Sequence, residues 1–430
     1  MRGGLLDRLE RDSVEVSNES NALIARCCDY ESSFALVQKH ILESHPLLLS
    51  EARKKEEGRQ RLRAVITQVI TTEGLASGKA ARDALAETIL YEVTGLGPLE
   101  PLVQDDEVTE IMVNAWNEIW VERKGILSRH DACFKDSRQL YEVISRAVAP
   151  LGRRIDQSMP FVDGRLPDGS RLHACIPPIS VRGPVLNIRK FSKKGFSIDD
   201  LIGMKSLTNE GGEFLRECVR SKLNLIVAGG TGSGKTSTLN ALLSEIARGG
   251  ERIVTIEDCA ELNTRSENLV SLESRPPNIE GRGEITIRTL VRNALRMRPD
   301  RIVVGEVRGA ETFDMLQAMN TGHPGSMSTV HANGAEDALR RLEGMALLAP
   351  EVPERVVAEL IPMAIDVIVF QRRFGAGERK ITDICLSTKE RSPGGRRLTE
   401  VFAFRNGVLT AVAETLPSWF GNRAEWVDTK

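Results

Sequence analysis

Eight consecutive residues, Gly229-Gly230-Thr231-Gly232-Ser233-Gly234-Lys235-Thr236, fit the phosphate-loop pattern G-x-x-x-x-G-K-[ST], and Ser237 follows them. The apolar run 223–228 reads as a buried strand leading into the loop, and Leu239, Leu242, Leu243 and Ile246 recur as one face of a helix leading out of it. Strand, loop and helix are the setting the chemistry needs. Glycines let backbone N–H groups turn toward phosphate oxygens while the new helix presents its positive end to the same anion. In that setting Lys235 reaches the β- and γ-phosphates of ATP and the Thr236 hydroxyl ligates Mg²⁺.

Hydrolysis needs further groups at the same place, and the ends of later strands supply candidates. The run 252–256 delivers Glu257 and Asp258, and 302–305 delivers Glu306. A carboxylate beside a phosphate loop can orient the attacking water or hold the metal's water shell. Acidic strand ends are also common caps, and the sequence does not choose between Glu257 and Glu306 for either role. The run 327–330 ends in His331, whose imidazole could hydrogen-bond a γ-phosphate or the attacking water, or cap the helix expected around 336–343. His323 sits in a Gly-His-Pro turn that needs no ligand. Upstream, Arg165, Arg171 and Arg189 are permanently charged forks that could stabilise phosphate charge or pair with Asp163 and Asp168. Arg288, Arg292 and Arg296 form an i, i+4, i+8 row, read as a solvated or subunit-facing stripe on a helix stopped by Pro299.

The elements that must position these residues fall into segments. Residues 1–33 are polar and read as a mobile arm, and 34–94 carry apolar positions at helical spacing and read as a helical module. Gly95-Leu96-Gly97-Pro98 breaks that pattern, and 95–190 reads as an α+β domain of short strands around a helix near 137–149. Residues 191–196 read as a hinge linker. From 197 to 430 helices alternate with apolar strands, the pattern of an α/β domain with a mostly parallel sheet, closed by hairpins across Gly375-Ala376-Gly377 and Asn406-Gly407.

Composition narrows the class. A length of 430 residues allows about three domains. A net charge of −2 gives no global footprint for nucleic acid. The seven cysteines, adjacent Cys27 and Cys28 included, lack C-x-x-C spacing, which speaks against zinc and for a reducing compartment. No run reaches the length of a membrane-spanning helix and no signal pattern opens the chain, so a cytoplasmic location is expected.

Taken together, Gly229–Thr236, then Thr255-Ile256-Glu257-Asp258, then the run from Leu295 to Gly309 containing Gly305-Glu306-Val307-Arg308, then Ser328-Thr329-Val330-His331-Ala332-Asn333, resemble the type II/type IV secretion ATPase superfamily. In that family these are the Walker A, Asp box, Walker B and His box motifs. Thr94-Gly95-Leu96-Gly97-Pro98-Leu99-Glu100-Pro101-Leu102, 108–114 and 165–171 look like the tight-adherence (Flp) pilus assembly subfamily. The resemblance covers roughly residues 90 to 390 and implies a RecA-like C-terminal ATPase domain preceded by a regulatory N-domain. It further implies a homo-hexamer that binds nucleotide between its large domains and turns domain rotation into work on a polytopic inner-membrane platform. In those terms Glu257 or Glu306 activates water, Glu306 joins Thr236 at the metal, His331 senses the γ-phosphate, and Arg165, Arg171 and Arg189 supply charge. The tetracysteine zinc element of the main type II secretion ATPase is absent, and residues 1–50 and those after Ser387, with the basic stretch 391–397, lie outside the match. Two other readings stay open, a RecA-like ATPase on DNA and a nucleotide-gated scaffold. Scarce aromatics oppose the first, since no direct nucleic-acid contact is expected without stacking groups. Glu257, Glu306 and His331 oppose the second.

Overall fold

The computed structural model describes residues 30–52, 55–123, 125–191, 195–246, 250–264, 266–277, 281–389 and 398–421. The expected arm up to residue 29, Cys27 and Cys28, the linker residues 192–194 and the basic stretch 391–397 lie outside them. Residues 30–33, assigned to the arm by their polarity, belong instead to a helix over 30–44 that buries Val37 and Ile41 one turn apart. The chain divides into two compact units, Met1–Lys190 and Phe191–Lys430.

The first unit opens with helices whose apolar stripes, including Leu62, Ile66 and Ile70 of Glu56–Thr72 and Ile89, Leu90 and Val93 of Lys79–Thr94, close a small core of their own. Six strands follow: β1 Val108–Ala115, β2 Glu118–Arg123, β3 Ile126–His130, β4 Phe161–Arg165, β5 Arg171–Cys175 and β6 Val185–Arg189. They form one sheet in the order β3-β2-β1-β6-β5-β4, each pair antiparallel. The strand alternation is legible in the burial. Ile111, Val113, Leu172, Ala174, Leu186 and Ile188 face the helix Ser137–Val148, while Asp163, Arg165, Arg171, His173 and Arg189 share the other face. That helix begins at Asp136, whose side chain accepts the Gln139 N–H at 2.8 Å.

The second unit holds β7 Leu225–Gly229, β8 Ile253–Glu257, β9 Leu269–Glu273, β10 Arg301–Val304, β11 Met327–His331, β12 Val367–Arg373, β13 Arg379–Ser387, β14 Leu398–Arg405 and β15 Val408–Ala411. Their order is β15-β14-β13-β12-β7-β11-β10-β8-β9. From β12 to β9 every pair is parallel, and β13 to β15 continue antiparallel. Near-continuous Val, Ile and Leu in the central strands reflects helices on both faces. One face packs Ile226, Ala228, Ile256 and Val304 against the helices Ile287–Ala294, Glu311–Asn320, Ala335–Ala346 and Glu354–Ala364. The other packs Leu225, Val227, Ile253 and Val303 against Ile198–Gly203, Asn209–Arg220 and Lys235–Ile246. Each fully buried side chain of this kind contributes about 1.5–3 kcal/mol.

At the base of the sheet Asn224 ties three strands together. Its amide nitrogen donates to Met319 O at 3.1 Å and Ala364 O at 2.7 Å, and its amide oxygen accepts the N–H groups of Gly325 at 2.9 Å and Ser326 at 3.1 Å. Asn406 and Gly407, at φ of 51° and 85°, make the tight turn between β14 and β15. The arginine row is corrected by its neighbours. Its helix ends at Ala294, short of Arg296, and Arg288 and Arg292 both grip Asp314 at 2.6 Å and reach Glu351. The row is therefore half an ion cluster joining two helices, since Asp314 is buried and its charge must be compensated there.

Candidate functional site

Parallel pairing brings the strand ends to one edge. Gly229 stands opposite His331 on β11 and Gln371 on β12, and Val304 stands opposite Ile256 on β8 and Ser328 on β11. The loop after β7, His331, Glu306 and Glu257 therefore share the carboxyl edge where ligands of such sheets bind. One strand, β11, intervenes between the loop-bearing strand and β10. His323 precedes β11 at the opposite end, where its carbonyl accepts Ser326 Oγ at 2.8 Å, so it has no part in this edge.

Three features of the loop require glycine. A Cβ on Gly229 would lie 2.4 Å from Gln371 O and 2.6 Å from Ser233 Oγ, and Gly232 and Gly234 take φ of 68° and 97°. Gly230, Thr231 and Gly232 are exposed, Ser233 is buried, and Thr236 and Ser237 are half-buried in the first turn of the helix starting at Lys235. Lys235 is itself buried, and its Nζ donates to Gly230 O at 3.0 Å. The second-unit residues that sequence reasoning missed gather under this loop. Gln371 Oε1 accepts Thr238 Oγ1 at 2.7 Å, Arg379 Nε donates to Gly232 O at 3.0 Å, and Arg373 stands opposite Arg379 across the β12–β13 hairpin.

Lys235 Nζ also lies 3.3 Å from His331 Nδ1, His331 Nε2 lies 2.9 Å from Glu306 Oε1, and Glu306 Oε2 accepts Arg308 Nη2 at 2.6 Å. Arg308 Nη1 reaches Asp258 at 3.5 Å. A continuous polar chain thus runs from the loop lysine through His331 and Glu306 to Asp258. Burial, then the charge of Lys235, lowers the His331 pKa below its usual value, against the opposing pull of Glu306. Glu257 behaves differently. It is buried, and its carboxylate accepts the backbone N–H of Glu261 at 2.8 Å and of Leu262 at 3.0 Å. Gly305 leaves room for it, because a Cβ there would sit 2.8 Å from Glu257 Cγ.

Arg165, Arg171 and Arg189 belong to the first unit, where the register sets them side by side. Arg165 pairs with Arg171 and Arg171 with Arg189, forming one row across β4, β5 and β6 that continues to Glu110 on β1. Arg165 Nε donates to Gly169 O at 3.1 Å, and Arg189 lies 3.6 Å from Glu110. Three like charges in directly opposed positions oppose the pairing they sit on.

The loop passes a test of fit for a nucleotide triphosphate with Mg²⁺. Its glycines occupy space no side chain can share, and the buried Ser233 Oγ has no hydrogen-bond partner among the described residues. Fold and site together define an α/β protein with a glycine-rich phosphate-loop sequence and a histidine beside a carboxylate at the carboxyl edge of its parallel sheet. The chain belongs to the type II/IV secretion system protein family, whose pattern matches residues 92–405. It is 38% identical over 301 residues to a putative conjugal transfer protein of Mycobacterium tuberculosis, covering 69% of this chain and 85% of that one. It is 34% identical over 317 residues to the type IV secretion system protein PtlH of Bordetella pertussis, covering 67% and 93%. Among solved structures, the VirB11 ATPase of the Brucella suis type IV secretion system is 29% identical, with 68% and 97% covered and a TM-score of 0.37.

Proposed function

We propose that this chain hydrolyses ATP to ADP and phosphate and that, as a homo-hexamer, it powers pilus assembly or retraction, or secretion, through a polytopic membrane platform. Membership of the secretion family supports the machinery, and the relay from Lys235 to Glu306 supports turnover. The tight-adherence pilus subfamily remains the finer reading of the motifs around 94–114. Among the described residues no helix is long and apolar enough to cross a membrane, so any association with the platform's inner-membrane site would run through partners.

Bound Mg²⁺ would neutralise charge on the β- and γ-phosphates; the residues around it do the rest. The loop N–H groups and Lys235 hold the phosphates, and Thr236 with Glu306 would hold the metal and its water shell. Glu306 is the better candidate to orient the attacking water, because it belongs to the relay, whereas Glu257 is engaged by the backbone N–H groups of the following loop. Arg308 holds one oxygen of Glu306, and His331 stands beside the other, where a γ-phosphate would register. The arginine row is proposed to add charge toward nucleotide, with its unit rotating on the ATPase unit during turnover.

The observation that carries this reading is the relay itself. Its test is phosphate release by the purified protein with Mg²⁺ and ATP. Wild type should turn over, Lys235→Ala should fall to background, and Glu306→Gln should bind a fluorescent ATP analogue with near-normal affinity while losing hydrolysis. Turnover by Lys235→Ala at the wild-type rate would refute the assignment.

A further inference from the structure

The polar face of the first sheet carries a second constellation, separate from the phosphate loop. Asp163 on β4 stands directly opposite His173 on β5, and Cys175 follows His173 on the same face of the same strand. Asp163 Oδ1 lies 2.8 Å from His173 Nδ1, and His173 Nε2 lies 3.2 Å from Cys175 Sγ. Neither end is sealed. The Asp163 and His173 side chains are 72% and 43% exposed, and Cys175 is half-buried. The order carboxylate, imidazole, thiol is that of an activated nucleophile, in which the carboxylate orients the ring and the ring takes the proton from sulfur.

We infer that Cys175 is a site of thiol–disulfide exchange, served by His173 as proton acceptor and Asp163 as the residue that positions it. The site would take a small soluble disulfide of net negative charge, glutathione disulfide being the natural type. Two observations choose that class over an acyl substrate. The thiol sits on the polar face of the strand, and its own backbone is engaged in ladders with β4 and β6 rather than turned to the thiol as an oxyanion hole. The arginine row shares the face, with Arg171 four residues from Cys175 along β5, roughly 13 Å at strand spacing. It would attract the carboxylates of such a disulfide.

The step balances within these groups. His173 Nε2 takes the thiol proton as Sγ attacks one sulfur of the disulfide. A new S–S bond joins Cys175 to half of the reagent, the old S–S bond breaks, and the departing thiolate recovers the proton from the imidazole and leaves as a thiol. Burial and the charge of Asp163 raise the Cys175 pKa, so the resting sulfur carries its proton and depends on His173 to lose it. The adduct would stand on the face that bears the arginine row. A consequence for turnover rests on the proposed role of that row, whereas the exchange chemistry does not.

The test treats the full-length protein with glutathione disulfide and follows each cysteine by peptide mass mapping, with exposed Cys133 as an internal reference. Cys175 should react at least about tenfold faster than Cys133, and His173→Gln and Asp163→Asn should each slow Cys175 about tenfold while leaving Cys133 unchanged, within the range of a positioned proton acceptor. Equal rates at the two cysteines, or a Cys175 rate indifferent to His173→Gln, would overturn the assignment. Phosphate release by fully modified protein, before and after dithiothreitol, reads the row separately. A reversible fall extends the site to regulation, and unchanged turnover would refute that extension alone.

Discussion

The two acidic strand ends should fail in opposite ways when each is replaced by glutamine. Glu257 is buried and receives two backbone N–H groups through its carboxylate. Both N–H groups meet Oε1, which an amide can keep at the cost of the charge, but its N–H₂ then replaces Oε2, which accepts Leu262 N–H at 3.2 Å, and a charge-assisted bond lost costs about 1.5–3 kcal/mol. Glu257→Gln should therefore lower the stability of the second unit by roughly 2–3 kcal/mol. Glu306 sits in a partly exposed pair with His331 and Arg308, with 18% of its side chain open, and pairs of that kind contribute about 1 kcal/mol or less. Its replacement should leave stability almost unchanged and cut turnover by about 10²–10⁴-fold, the contribution of a positioned general base. Urea unfolding followed by circular dichroism gives the first quantity and phosphate release gives the second. A stable, inactive Glu257→Gln beside an unstable, active Glu306→Gln would reverse the roles and refute the reasoning.

The pH dependence should centre on His331. Its imidazole is held below the usual 6.5 by burial and Lys235, with Arg308 and Arg341 pushing the same way and Glu306 opposing. The folded chain thus takes up this proton only at lower pH than the unfolded chain. The linked stability is present above about 6.5 and is lost as pH falls through the folded value. The acid limb of turnover should have its midpoint below 6.5, and His331→Gln should remove that part of the unfolding difference between pH 5 and 7; an unchanged difference would sink the assignment. In the first unit, Arg171→Gln relieves like charge on both sides, so thermal unfolding of that unit should show a gain of about 0.2–1 kcal/mol. If the row also serves nucleotide, the same variant should lose turnover, and loss of both stability and turnover would make the row structural.

Local signals made much of this legible. The phosphate loop, the central parallel strands and the acidic or histidine ends each lie within one short segment, where burial period and residue type suffice. What the sequence left open depends on which strands become neighbours. Gln371 and Thr238 are 133 residues apart and meet only because β12 joins β7 on the side away from β11. Arg373 and Arg379 reach the loop for the same reason. The edge strand β9 escaped notice because its five residues are only partly buried and lack a clean alternation. A row of arginines shows its spacing but not its partner: Arg292 and Arg296 are exposed as a solvated stripe requires, while the pairing of Arg288 and Arg292 with Asp314 depends on another helix.

The choice between Glu257 and Glu306 is of the same kind, and the proposal for Glu306 rests on the placement of a single proton. The ammonium of Lys235 can only donate, so His331 Nδ1 facing it at 3.3 Å must accept. A neutral imidazole then carries its hydrogen on Nε2, the nitrogen that lies 2.9 Å from Glu306 Oε1. The loop lysine therefore sets the tautomer of the histidine, and the tautomer puts the ring's proton on the side of the carboxylate. Whatever draws Lys235 toward a phosphate loosens that constraint and frees Glu306 to be rearranged by the same event. Glu257 has no such link, because its oxygens are held by backbone N–H groups whose protons cannot move. A carboxylate whose orientation answers to the loop is the one suited to act only when the loop is filled.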